Sequence, residues 1–194
     1  MRLRRYLINE KSDSVYNIIV DSKQTVSRGW TYNFARIGDW FFESEKRLDS
    51  IYNYVNYCGG IHYINTIKYF DNNKPLYNKG YWHEFIYDSM NIKKDKRVEV
   101  EIKINYDKEL YEENLMLYLF RDPVYNADYC NFKQFKKDSL PSFGDDNYTL
   151  GIRPVDEGMN TIQGYYILLP KKQEKKDGTI GVKAVFFRLD FEVN

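Results

Sequence analysis

The sequence predicts a mainly β protein, an antiparallel β-sandwich of jelly-roll-like type with one inserted α-helix around residues 44–58; an α+β fold is the alternative. Three observations lead there. The chain has three Ala against 16 Ile, 11 Val, 19 Tyr and 12 Phe, and β-branched and aromatic residues suit a pleated, half-buried surface whereas Ala favours helix. Val98 to Asn105 alternates apolar and polar residues strictly. The C-terminal segment alternates again, with Val185, Phe187, Leu189, Phe191 and Val193 on one side and Arg188, Asp190 and Glu192 on the other. Composition is the weakest of the three. Lys, Asn, Ile, Tyr and Phe supply 83 residues while Gly, Ala, Pro and Arg supply 29, a skew that an AT-rich coding sequence produces whatever the fold. Pattern therefore carries the assignment.

The elements follow in chain order. Residues of about 1–11, including Met1-Arg2-Leu3-Arg4-Arg5, read as an N-terminal arm. Tyr16 to Val20 and Trp30 to Phe34 read as strands. Ser44 is placed to cap a helix in which Leu48, Ile51, Tyr52 and Val55 fall at helical spacing, with Gly59-Gly60 as its stop. Val98 to Asn105 is the clearest strand, with Val98, Val100, Ile102 and Ile104 inward and Glu99, Glu101 and Lys103 in water. Leu115 to Phe120, apolar on both faces, suits a central strand. A short second helix is expected near Asn126 to Lys137. A β-hairpin of about 165–193 closes the chain: Tyr165 to Leu169 runs out and Ile180 to Val193 returns, and Asp177-Gly178 supplies turn chemistry at a lysine-rich, solvated tip. With no repeat or low-complexity linker, residues 1–194 read as a single β-rich domain.

Twenty-nine basic and 28 acidic side chains leave a net charge of +1, so no global field points to nucleic acid or to a cationic partner. No apolar run reaches membrane-spanning length, and the basic start lacks the apolar stretch of a signal peptide. Cys58 and Cys130 read as free thiols. Neither GxxxxGK[ST], GxGxxG nor GxSxG occurs.

Few constellations carry chemistry. Only His62 and His83 are available as acid–base groups near neutral pH; a Cys58–His62 dyad is weaker than a packing role for both. Tyr81-Trp82-His83-Glu84-Phe85-Ile86-Tyr87-Asp88 is the most crowded segment. His83, Glu84 and Asp88 lack metal-ligand spacing, so the segment reads as core packing or, through Tyr81, Trp82 and His83, as an aromatic anchor in a protein interface. Asp145-Asp146-Asn147 resembles a calcium loop in composition, without its ligand spacing, and reads as a turn. Arg2, Arg4 and Arg5 form a basic cluster and complete the candidate interface. No catalytic, cofactor-binding or metal residue is expected.

The expected function is non-enzymatic: a structural or assembly protein, a virion component of a tailed phage (connector, tail or capsid-associated), acting through contacts with other protein subunits in the virion or host cytoplasm. Membrane and nucleic acid are not expected partners, although a single strand on a β face stays open. The alternatives are a carbohydrate- or protein-binding module, using exposed Tyr and Trp, and an enzyme of unrecognised chemistry.

Overall fold

The computed structural model describes residues 2–6, 14–21, 23–33, 35–57, 61–89, 92–113, 115–122, 129–141, 146–171 and 181–194. They form antiparallel β-strands and one short 3-10 helix, with no α-helix among them. The mainly β, antiparallel expectation is met; the inserted helix and the α+β alternative are not. The chain forms two compact units: residues 1–81 with 126–133, and residues 82–125 with 134–194.

The first unit is a meander in which each strand pairs with the next: β1 (Arg2–Tyr6), β2 (Ser14–Val20), β3 (Val26–Tyr32), β4 (Ala35–Ser44), β5 (Arg47–Tyr57), β6 (Ile61–Asp71) and the start of β7 (Lys74–Ile86). The region expected to be helical is the β4–β5 hairpin. Ser44 pairs with Arg47 across a two-residue turn, and both turn residues, Glu45 and Lys46, have positive φ (46° and 63°). That is the twist-matched geometry a tight hairpin requires. Leu48, Ile51, Tyr52 and Val55 do satisfy helical spacing, but on a strand with apolar residues on both faces the same positions arise by chance. Tyr52 lies between Phe42 of β4 and Tyr69 of β6, with ring centroids 4.9 and 6.4 Å away. Such cross-strand contacts are unavailable to an isolated helix, and a segment of Ile, Val, Tyr and Asn without Ala has little helical preference to set against them. Gly59 and Gly60, expected as the helix stop, lie outside the described residues.

Of the register shifts in this sheet, the one between β3 and β4 buries a side chain. Arg28 pairs with Phe41 and Trp30 with Ile37, so three residues of β4 stand opposite Gly29 alone. The bulge lays Trp40 flat on Gly29: a Cβ there would sit 2.6 Å from indole carbons. Trp40 is thereby 1% exposed, and its indole N–H donates to the Trp30 carbonyl at 2.8 Å.

The second unit holds most of the buried hydrophobic side chains. The end of β7, β8 (Val98–Tyr106) and β11 (Asn147–Ile152) form one sheet; the other has the order β10-β9-β12-β13, with β9 (Met116–Phe120), β10 (Lys137–Pro141), β12 (Gly158–Leu168) and β13 (Lys183–Val193). Val100, Ile102 and Ile104 of β8 are buried while Glu99 is exposed, as the alternation predicts. β9 is central, paired with β10 and β12, as its apolar sequence suggested. The β12–β13 hairpin pairs Gly158 with Val193 through Leu168 with Lys183, and its lysine-rich tip lies outside the described residues. Ile92, Phe191 and Val193 form a cluster onto which Val98, Ile152, Ile162 and Leu189 pack, joining the faces of the two sheets. In place of the second helix, residues Tyr129–Gln134 form a 3-10 helix, and Lys137 already begins β10.

Two outcomes test this architecture. Replacing Glu45-Lys46 by Asn-Gly, the pair that best adopts positive φ at both positions, raises the unfolding midpoint in urea by the equivalent of about 0.5–1 kcal/mol; in a helix the same change lowers it. Gly29→Ala drives a methyl into the Trp40 indole and destabilises the protein by about 1–3 kcal/mol, seen as a lower urea midpoint with a blunted near-ultraviolet tryptophan signal.

Candidate functional site

The candidate interface residues occupy three kinds of position. Arg2, Arg4 and Arg5 lie on the five-residue strand β1, opposite Val20, Ile18 and Asn17 of β2. The N-terminal arm therefore includes an edge strand, and basic residues are a usual guard on such an edge. Tyr81 is half-buried and pairs with Ile67. Trp82 is 3% exposed, which is the core-packing reading of its segment rather than a surface anchor.

His83 sits in an aromatic box in the second unit. Its ring makes edge contacts with Phe85 at 5.3 Å and with Tyr166 and Phe187 at 5.9 Å each. Nδ1 is buried and has no hydrogen-bond partner among the described residues. Burial alone holds the imidazole at a pKa of about 4, because an apolar box penalises the charged form. The residue as a whole is half-buried, and three aromatic rings surround it. Cys58 lies outside the described residues, so the Cys58–His62 pairing has no geometry to examine; His62 stands on β6 opposite Asn56.

Asp146 is already engaged. It accepts the Tyr106 hydroxyl at 2.8 Å and an ion pair from Lys108 at 2.8 Å, and its backbone carbonyl accepts from the Ile104 N–H. Tyr106 is buried, and burial followed by the Asp146 bond raises its pKa. The arrangement pins the entry to β11 onto the end of β8, a structural clasp consistent with the turn reading; Asp145 lies outside the described residues. Among the described residues, no three His, Cys, Asp or Glu side chains stand close enough to hold a metal ion.

What the sequence reading missed is the aromatic–cation lattice of the first unit. Arg36 lies over the Trp40 ring at 4.2 Å, is 5.6 Å from the Phe42 and Tyr54 rings, and donates to the Tyr54 hydroxyl at 3.0 Å. Arg28 lies over Phe41 at 4.8 Å and donates Nε and Nη2 to Glu43 at 3.0 and 2.8 Å; these bonds raise the Arg28 pKa. The Tyr52 and Tyr69 hydroxyls meet at 3.3 Å, and burial, aided by that contact, pushes the Tyr52 pKa up to about 12. Buried polar groups are matched too: Asn17 donates to the Val15 carbonyl and to the Thr31 hydroxyl, both at 2.8 Å. Arg36, Trp40 and Phe42 share parity on β4, so their common face was visible. That the Arg covers the rings depends on the bulge.

Comparison with protein-family models, curated proteins and solved structures found no match to this chain.

Two truncations separate these roles. Trp82→Ala lowers stability by about 3–5 kcal/mol in chemical denaturation, since the side chain fills core. Asp146→Ala leaves the buried Tyr106 hydroxyl without its acceptor and costs about 1–3 kcal/mol; Tyr106→Phe in the same background restores part of that loss.

Proposed function

We propose that this chain is a non-enzymatic structural protein, a component of a tailed-phage virion in the connector, tail or capsid-associated class, and that it works by packing the first unit's sheet against other protein subunits. One observation carries the reading. Among the strand residues of that unit whose side chains are described, Trp40 and Tyr54 are the buried hydrophobic ones, while the other aromatic and branched strand residues described there are half-buried or exposed. A sheet finds stability by burying at least one face against another layer, and aromatic residues are enriched where proteins meet. Tyr32 and Tyr77 are 45% and 52% exposed, and Val20 is 37% exposed. The balanced charge and the AT-skewed composition support a protein whose surface meets other proteins in a phage particle. The second unit, with its facing sheets, is read as a β-sandwich.

Sedimentation velocity tests the reading. The chain shifts from monomer to a larger species as concentration rises, and the double variant Tyr32→Ser, Tyr77→Ser weakens that shift at least about tenfold, a loss of about 1.4 kcal/mol, with an unchanged melting temperature. A chain that stays monomeric throughout, and that does not join a phage particle when added to an assembly reaction, overturns the proposal.

A further inference from the structure

The His83 box is a polar group placed where the fold supplies only rings. Its walls come from three strands of the second unit: Phe85 on β7, Tyr166 on β12 and Phe187 on β13. Tyr166 is fully buried and Phe187 is 2% exposed. Phe85 and Phe187 also touch each other, 6.0 Å between centroids, so the imidazole fills a gap in a continuous aromatic contact. The box bridges β7 to the hairpin that forms the unit's second sheet.

We propose that His83 is an acid-sensitive switch built into the second unit, in which protonation of the imidazole opens the packing between β7 and the β12–β13 hairpin.

The groups around it give a proton no counter-charge. On β12 the positions sharing a face with Tyr166 are Ile162, Gly164 and Leu168, so the only titratable group there is the Tyr166 hydroxyl. On β13 the face of Phe187 carries Val185, Leu189 and, at its start, Lys183, a cation whose pKa burial lowers to about 8. Lys183 is thus charged in acid and adds repulsion. Asp190 belongs to the opposite face and is tied to Arg188 at 2.9 Å. On β7 itself Glu84 alternates to the other side, and on β8 the charged residues Glu99, Glu101 and Lys103 alternate away from Val100, Ile102 and Ile104. An imidazolium in the box would carry its charge beside a buried Nδ1 with no hydrogen-bond acceptor, among three aromatic rings and with no facing carboxylate to offset it.

The direction follows by linkage. The folded state binds the proton more weakly than the unfolded state, from an ordinary value of 6.5 to about 4. Stability is therefore complete above about pH 6.5 and falls as the pH drops through the window down to about 4, where the loss levels off. Between about pH 7 and about pH 4.5 these values lower the folded-to-unfolded ratio about fiftyfold through this one group.

The test compares the full chain with His83→Phe, which keeps a ring in the box and removes the titrating nitrogens. Urea unfolding at about pH 7 and about pH 4.5 isolates the contribution, because the protonation of carboxylates is common to both proteins. The wild-type ratio falls about fiftyfold further than that of the variant. Equal losses overturn the proposal. Should His83→Phe fail to fold, the imidazole proton resonances of the folded wild-type chain decide: a titration midpoint far below 6.5, accompanied by loss of dispersed aromatic signals, supports the switch, and a reversible midpoint near 6.5 with the fold intact rejects it.

Discussion

Around Tyr165–Tyr166 and Val185–Phe187 the β12–β13 hairpin is buried on both of its faces, and the second unit is organised by that constraint. Eleven residue pairs hold the two strands in register. Tyr166, Leu168, Val185 and Phe187 occupy one side, and Tyr165 and Phe186 the other, all nearly inaccessible to water. A strand wetted on one face tolerates a one-residue slip poorly; a strand buried on both tolerates none without moving every side chain into the wrong packing. Gly164 shows how closely the flanking strands β9 and β13 crowd β12. A Cβ there would lie 2.0 Å from the Tyr118 carbonyl oxygen and 2.8 Å from the Phe187 ring. On the Tyr165 side, Tyr118 stacks at 4.7 Å with planes 16° apart, and Lys137 reaches both rings. On the Tyr166 side lies the His83 box. The same hairpin thus carries a cation over its rings on one face and an imidazole among aromatic rings on the other.

The first unit solves a different problem with the same residues. Its strands bury little, so stability must come from contacts between neighbouring strands. Guanidinium groups lie over aromatic rings, hydroxyls meet across strands, and amides such as Asn17 are satisfied locally. Flat cations over ring faces shield apolar carbon from water without closing it off. A face of that kind holds together alone and still has area to give to a partner, which links the local chemistry to the proposed assembly role. The bulge opposite Gly29 is the exception, since it folds the sheet's own Trp40 down and buries it.

Legibility differed by region for a physical reason. Val98 to Tyr106 and Lys183 to Val193 could be read because one side of each alternates into water, so period two appears in the letters. The β4–β5 hairpin could not. Both its faces carry apolar residues, the period is lost, and Leu48, Ile51, Tyr52 and Val55 then fit a helix as well as a strand. The positive φ of Glu45 and Lys46 also hides the turn, because neither residue is a usual choice there. In the candidate site, the crowding around Trp82 and His83 was visible, but whether those rings faced water or core depended on strands about 80 to 100 residues away.

Local chemistry written in the sequence determined the antiparallel β class, the core side of β8, the central place of β9 and the closing hairpin, because alternation and two-sided apolarity are properties of single segments. Only the tertiary structure decided that residues 44–58 are strand, that Trp82 is interior, that Arg36 lies over Trp40, and that His83 stands among Phe85, Tyr166 and Phe187. Each of those depends on what a different strand places opposite, and burial and pKa are set by those neighbours rather than by the residue itself.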